Sequence, residues 1–220
     1  EVDVRGKAVV ELGAGTGIPA FLSAREGAAK VRWACLTGCR GADRELDLAQ
    51  VVVSDYNDPV LVQNLDRNIS LALLDPTDQS RTHAVGFTWG DSPAPLLALS
   101  PSGFQLILLA DTLWFSSGHD TLIDSILALL DQDPAARVEL VAGFHSGRET
   151  VRAFLRKAAD RGLVQDGLWE EVMFDGVRKK WGWDVEAGMV DEEDIGERNR
   201  AVVEGALVRR RTSWLVDLRL

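Results

Sequence analysis

Apolar residues along the chain alternate between two rhythms, short unbroken runs and stretches spaced three and four residues apart. Lys7 to Leu12 is the first run and ends in a glycine turn; Ile18, Phe21 and Leu22 then recur at helical spacing until Gly27 supplies a stop. Val51 to Ser54 is a second, β-branched run. Asp58-Pro59 after it reads as an N-cap followed by proline at the first helical position, with Leu61, Leu65 and Ile69 on one face of the helix. A third strand is expected at His83 to Phe87, weakened by Gly86. Phe104 to Ala110 is the most apolar strand, with an amphipathic helix through Leu122, Ile123, Ile126, Leu127 and Leu130 behind it. Arg137 to Gly143 gives a fifth strand, and Val151, Phe154, Leu155 and Ala158 lie on a helix closed by Gly162. Strands of this kind, alternating with helices, predict an α/β fold with a mostly parallel sheet covered on both faces. The tail differs. In Thr212 to Leu220, Trp214, Val216, Leu218 and Leu220 alternate with their neighbours, which predicts one antiparallel strand near the C-terminus. Asp175 to Glu197 carries little periodicity and contains the acidic run Asp191-Glu192-Glu193-Asp194; it reads as loop with room for a short helix.

Composition narrows this picture to one domain of a particular kind. A chain of 220 residues with 46% hydrophobic content suits a single globular domain. A net charge of -10 argues against gripping nucleic acid through a basic surface and favours a cationic partner. No apolar run approaches the roughly 20 residues needed to cross a bilayer, and no secretion signal opens the chain, so a cytoplasmic monomer is expected. Cys35 and Cys39 have neither a second pair nor a neighbouring His, and read as free thiols rather than a disulfide or metal site. His83, His119 and His145 fall on different elements without ligand spacing and read as structural or surface residues. Asn68-Ile69-Ser70 matches a glycosylation sequon, but on a predicted helix. The chain enters its first strand within a few residues of Glu1, which suggests truncation at the N-terminus.

The candidate chemistry gathers where strands end. Gly13, Gly15 and Gly17 allow a sharp turn whose backbone N–H groups approach a ligand. A dinucleotide loop would follow G-x-G-x-x-G, whereas Ile18 stands at the third glycine position here, which disfavours a nicotinamide enzyme. Glu11 would repel a pyrophosphate but tolerate a cofactor with a free ammonium group. A plain βα turn is the bland alternative. Asp55 ends the second strand, where a carboxylate can accept both ribose hydroxyls of an adenosine; its other role would be capping, which Asp58 already fills. Trp89 follows the third strand and either stacks on an adenine or packs in the core, with Gly90 allowing close passage. Ala110 would border the cofactor. Asp111 and Trp114 read as a carboxylate for an amine and an aromatic wall for a cation, or alternatively as a turn residue and a packing residue.

Val9 to Gly17, Val52 to Tyr56 with Asp58-Pro59, Phe87 to Gly90 and Leu109 to His119 together resemble one family. It is the nicotinamide N-methyltransferase-like branch of the seven-β-strand, Rossmann-like class I methyltransferases, in particular the fungal protein N-methyltransferases acting on translation elongation factor one-alpha. The resemblance implies S-adenosylmethionine as cofactor, held by Gly13, Ala14, Gly15, Asp55, Trp89 and Ala110. It also implies a protein substrate methylated on its N-terminal amine or a nearby Lys. Methyl transfer from a sulfonium is a direct displacement that requires no metal, and a carboxylate placed to help a Lys amine lose its proton makes Asp111 the candidate catalytic residue. Methylation of a small amine, or an inactive cofactor-binding module, are the competing expectations.

Two departures from the family stand out. A segment carrying a cofactor-contacting Trp before the first strand has no counterpart here. Asp55 also follows Gly17 by 38 positions, against roughly 20 in the usual pattern. Removing Val31 to Gln50 joins Lys30 to Val51 and restores the spacing, so 31–50 reads as a surface insertion or an in-frame retained intron. Spliced transcripts that always contain the stretch would remove the intron reading.

Overall fold

The structure, a computed structural model, describes residues 2–27, 50–172, 177–180 and 201–209. Its strands are β1 Val9–Leu12, β2 Val51–Asp55, β3 Thr82–Gly86, β4 Leu106–Ala110, β5 Arg137–Gly143, β6 Leu163–Val172, β7 Val177–Lys180 and β8 Ala201–Arg209. Six helices accompany them among the described residues: α1 Ile18–Arg25, α2 Pro59–Ala72, α3 Pro76–Ser80, α4 Ala94–Leu97, α5 His119–Leu129 and α6 Arg148–Asp160. A short 3-10 turn at Ser116–Gly118 precedes α5.

The strands form one sheet in the order β3-β2-β1-β4-β5-β8-β6-β7. β1 to β5 pair in parallel, β8 enters antiparallel between β5 and β6, and β7 folds back on β6 at the edge. The expected seven-stranded, mostly parallel sheet is present, widened by the short β7. The antiparallel strand beside β5 comes earlier than the sequence suggested, at Ala201–Arg209; Thr212 to Leu220 lies outside the described residues. So do Cys35, Cys39, the acidic run at Asp191 and all of the stretch 31–50 except Gln50. Neither β6 nor β7 was expected: β7 falls within the 175–197 stretch read as loop, where it pairs antiparallel with β6. The buried Leu163 and Leu168 of β6 stand an odd number of residues apart, and only the register shift between Asp166 and Trp169, at Gly167 with φ 71°, turns both toward the core. β3 begins one residue before its expected start, because Val51 pairs with Thr82 and Asp55 with Gly86.

All four residues of β1 are buried, which explains its unbroken apolar run, with Glu11 the exception. Alternate residues feed two cores. Val10, Leu12, Val52, Ile107 and Leu140 face Ile123 and Ile126 of α5 and Phe154 of α6. Val9, Val51, Val53 and Leu106 face Phe21 and Ala24 of α1 and Leu65 and Ile69 of α2. The helix faces differ from the sequence expectation at three positions: Ile18, Leu22 and Leu61 are exposed, and α1 buries the smaller Ala20, Ser23 and Ala24 beside Phe21. Asp58 caps α2 as expected, its Oδ1 accepting from the N–H of Val60 at 2.8 Å and of Leu61 at 3.3 Å, with Pro59 at the first helical position. Among the described residues no helix is long and apolar enough to cross a membrane.

Candidate functional site

With β1 lying between β2 and β4, the loops after these strands share one edge of the sheet, the place where open α/β folds bind ligands. The turn after β1 is held from both sides. Ala14 N–H donates to Ser54 O at 3.0 Å, Gly17 N–H to Ala14 O at 2.8 Å, and Gly15 N–H to Asp55 Oδ2 at 2.7 Å. Gly13 and Gly17 take φ +71° and +84°, and a Cβ on Gly17 would stand 2.7 Å from the Phe21 ring. Gly15 differs: its φ is +56°, and a Cβ there would meet nothing within 4 Å.

Glu11 lies directly beneath this turn with no exposed surface. Its Oε2 accepts from Ala20 N–H at 2.9 Å, while Oε1 has no hydrogen-bond partner. Burial pushes its carboxyl up to about 7, partly opposed by the Ala20 hydrogen bond, and the Asp55 charge adds in the same upward sense.

A cavity of about 480 Å³ opens at this edge, and Gly13, Gly15, Asp55, Trp89, Asp111 and Trp114 all border it. Six of the residues nominated from sequence are thus brought together. Ala14 and Ala110 stand apart from it. The Ala14 side chain packs into the core beside α1, so that residue meets the loop through its backbone. Ala110 borders a different groove of about 660 Å³, with Val141 and Trp169.

The cavity has an aromatic side. Trp89 and Phe115 lie 6.5 Å apart between ring centroids, and Trp114 and Phe115 5.7 Å apart. Gly13 lets the Trp89 indole in, since a Cβ there would stand 3.0 Å from Trp89 Cζ2. The turn after Trp89 is seated on α5 by the Gly90 N–H, which donates to Ser125 Oγ at 2.9 Å. Trp114 and Phe115 remain more than 40% exposed, an unusual position for two large rings unless a ligand covers them.

Asp111 is the non-glycine with positive φ, 54°, among the described residues. Asp tolerates that conformation better than most side chains, and such outliers gather at functional sites. Its N–H donates to Val141 O at 2.7 Å, and its Oδ1 accepts from Gly143 N–H at 3.1 Å. His145 Nδ1 lies 3.8 Å from the same oxygen. Sequence reading set His145 aside with the other two histidines, which do prove to be tied to structure: His83 to Gln50 and the buried His119 to Leu113 O, each at 2.8 Å. The signal for His145 was positional, because it follows β5 as Asp111 follows the adjacent β4. No group of three or more His, Cys, Asp or Glu that could hold a metal occurs among the described residues.

Comparison with known proteins gives this geometry a context. The model of a family described as lysine methyltransferase matches residues 1–161. The protein N-terminal and lysine N-methyltransferase of Aspergillus fumigatus is 35% identical over 123 residues, 54% of this chain and 40% of that protein. Its namesake in Neurospora crassa is 30% identical over 181 residues, 76% of this chain and 56% of that protein. The chain therefore spans about half the length of the curated relatives it matches. Among solved structures, a SAM dependent methyltransferase from Aquifex aeolicus matches with a TM-score of 0.53 at 12% identity, covering 93% of this chain and 83% of that one. TrmN from Thermus thermophilus matches with a TM-score of 0.51 at 14% identity, covering 93% of this chain and 44% of that one. At such identities the likeness is one of fold.

Proposed function

The chain belongs to the lysine methyltransferase family, and from that premise we propose that it transfers the methyl group of S-adenosylmethionine to an amine of a protein. One observation carries the reading: the glycine turn, Asp55 and Trp89 border the same cavity as Asp111 and Trp114, so a cofactor and an amine acceptor would meet there.

The residues present fit the cofactor. Gly15 offers open space where the loop would touch a ligand, and the buried Oε1 of Glu11 is an orphan acceptor of the kind a cationic amino group satisfies. Asp55 accepts from the Gly15 amide on Oδ2 and from the Tyr56 amide on Oδ1, and each oxygen retains a lone pair for a ribose hydroxyl. Trp89 presents a ring for an adenine. Gly13, Gly15, Asp55 and Trp89 are the cofactor residues that border the cavity in this reading; Ala14 is assigned through its backbone in the turn, and Ala110, which borders the neighbouring groove, through its place one residue before Asp111. When bound, S-adenosylmethionine supplies an electrophilic methyl group on a sulfonium.

The chain's own residues then prepare the acceptor. A lysine amine, with an ordinary pKa near 10.4, must lose its proton before it attacks. The rings of Trp114 and Phe115 would flank the side chain, and the water they displace from it disfavours its charged form. Asp111 captures the incoming ammonium and takes its proton on the way to solvent. Asp111→Asn is expected to leave S-adenosylmethionine affinity intact and to slow methyl transfer by roughly a hundredfold or more; full turnover would remove Asp111 from the role. Trp89→Ala is expected to weaken S-adenosylmethionine binding in a calorimetric titration by about tenfold or more, given about 1–3 kcal/mol for an aromatic stack on a base. Unchanged affinity would leave Trp89 a packing residue.

For the substrate we propose translation elongation factor one-alpha, methylated on its N-terminal amine or a nearby lysine, and for the branch the nicotinamide N-methyltransferase-like one. The names of the fungal relatives, which specify N-terminal and lysine methylation, support the choice of acceptor amines, and a net charge of -10 suits a cationic partner. In the same reading 1–220 is one domain with 31–50 inserted between α1 and β2. β1 and β2 pair directly, and the helix-to-strand link between them is ordinarily short. Labelled S-adenosylmethionine incubated with the chain and the purified factor tests the proposal: label in the factor is expected, and label confined to small molecules would overturn it.

A further inference from the structure

Asp111 carries an exposed carboxylate on a backbone that costs an L residue about 1–2 kcal/mol. Strain of that sort persists only where the surroundings over-determine it. The three groups nearest to doing so all come from the end of β5 and the turn after it: Val141 O, Gly143 N–H and His145 Nδ1. Gly143 leaves room for the third, since a Cβ there would stand 3.1 Å from His145 Nδ1.

The segment that bears His145 is itself anchored. Phe144 is fully buried, the Arg148 guanidinium lies 4.3 Å from its ring centroid, and Arg148 also makes a two-pronged contact with Glu170 of β6 at 2.5 and 2.6 Å. The imidazole therefore moves by side-chain rotation over a fixed backbone. Its 3.8 Å separation from Oδ1 is wider than a hydrogen bond and small enough to be closed by such a rotation, and contacts of this type tighten when a substrate binds.

Resting on the reading of Asp111 as the acceptor's carboxylate, we propose that His145 is a positioning residue for methyl transfer, its Nδ1–H holding Oδ1 of Asp111 so that Oδ2 is presented to the amine. With Gly143 N–H and His145 both on Oδ1, the carboxylate keeps one orientation. Without His145 it rotates, and the ammonium is captured off line.

Three variants and one spectrum test this. His145→Ala is expected to lower kcat by roughly tenfold or more, the scale of a hydrogen bond to a charged group, with S-adenosylmethionine affinity and melting temperature unchanged. His145→Asn, whose amide nitrogen falls near the Nδ1 position, should restore most of that loss. Unchanged kcat in the Ala variant overturns the proposal, and so does a loss that Asn fails to restore. The contact is also read without turnover, from the 15N spectrum of the imidazole in neutral form. The Nδ1–H tautomer is expected in the native chain, reverting to Nε2–H in Asp111→Gly, where glycine accepts the backbone at φ 54°. A native Nε2–H tautomer overturns the proposal. A native Nδ1–H tautomer in a chain that transfers no methyl group leaves the contact standing and overturns the methyl-transfer reading instead.

Discussion

Gly13→Ala is expected to weaken S-adenosylmethionine binding by about tenfold or more and to destabilise the fold by about 2 kcal/mol or more. Two independent causes act at this position. The backbone at φ +71° is one that an L side chain adopts at a cost of about 1–2 kcal/mol. The added methyl would also stand 2.9 Å from Thr112 Cγ2 and 3.0 Å from Trp89 Cζ2. Thr112 is buried, and Trp89 is backed by Phe115 and Gly118, so neither yields freely. Relief comes by lifting the loop or by pushing the indole into the cavity. Either movement displaces groups that a cofactor must touch, and loss of the Trp89 stack alone is worth about 1–3 kcal/mol of binding. Gly6→Ala is the matching control. Gly6 has φ +69° and nothing within 4 Å of its would-be Cβ, so it reports backbone strain alone, away from the cavity. Calorimetric titration and thermal melting of both variants separate the two causes. Gly13→Ala binding like the native chain would show that this loop is not the cofactor's wall.

The parallel half of the sheet was legible because its strands are buried on both faces, and such strands appear in sequence as unbroken apolar runs ending in turn residues. The same logic fails for β6. Its inward residues change phase at the Gly167 bulge, so neither a run nor a strict alternation survives. The site divides in a similar way. Gly13, Gly15, Asp55, Trp89, Asp111 and Trp114 come together at one cavity because each stands at or just after the end of a strand, and strand ends in a parallel sheet share an edge. Ala110, one residue earlier than Asp111, sits at the groove beside Val141 instead, since successive residues of a strand point to opposite faces. His145 escaped notice because its relation to Asp111 is lateral, across β4 and β5, and periodicity along a chain carries no record of which strands become neighbours.

Glu11 makes the stability of the fold depend on pH, and Glu11→Gln is expected to abolish that dependence. The carboxyl is pushed up to about 7 by burial, from an ordinary value of 4.5. Between those two values the folded chain keeps a proton that the unfolded chain has lost, so stability falls as pH rises, by about 1.4 kcal/mol per unit. Below the window both states are protonated and Glu11 contributes no slope; above it the full penalty, roughly 3 kcal/mol, is present. Glu139, also raised by burial, adds in the same sense, while Asp3 and Asp120, lowered by Arg5 and Lys157, act in the opposite sense at more acid pH. Comparing native and Gln chains cancels these contributions. Gln keeps an oxygen to accept from Ala20 N–H, so the variant should match the native chain near pH 4.5 and exceed its stability by about 3 kcal/mol at pH 8. Urea unfolding at four pH values measures the difference, and parallel curves would show that Glu11 does not titrate in this range. A cationic amino group bound in the cavity, on the far side of the glycine turn, would draw the buried carboxyl back toward its ionised form by its charge. S-adenosylmethionine should accordingly stabilise the native chain more than the Gln variant at pH 8, and bind the variant more weakly, so that the variant gains stability at the expense of cofactor affinity.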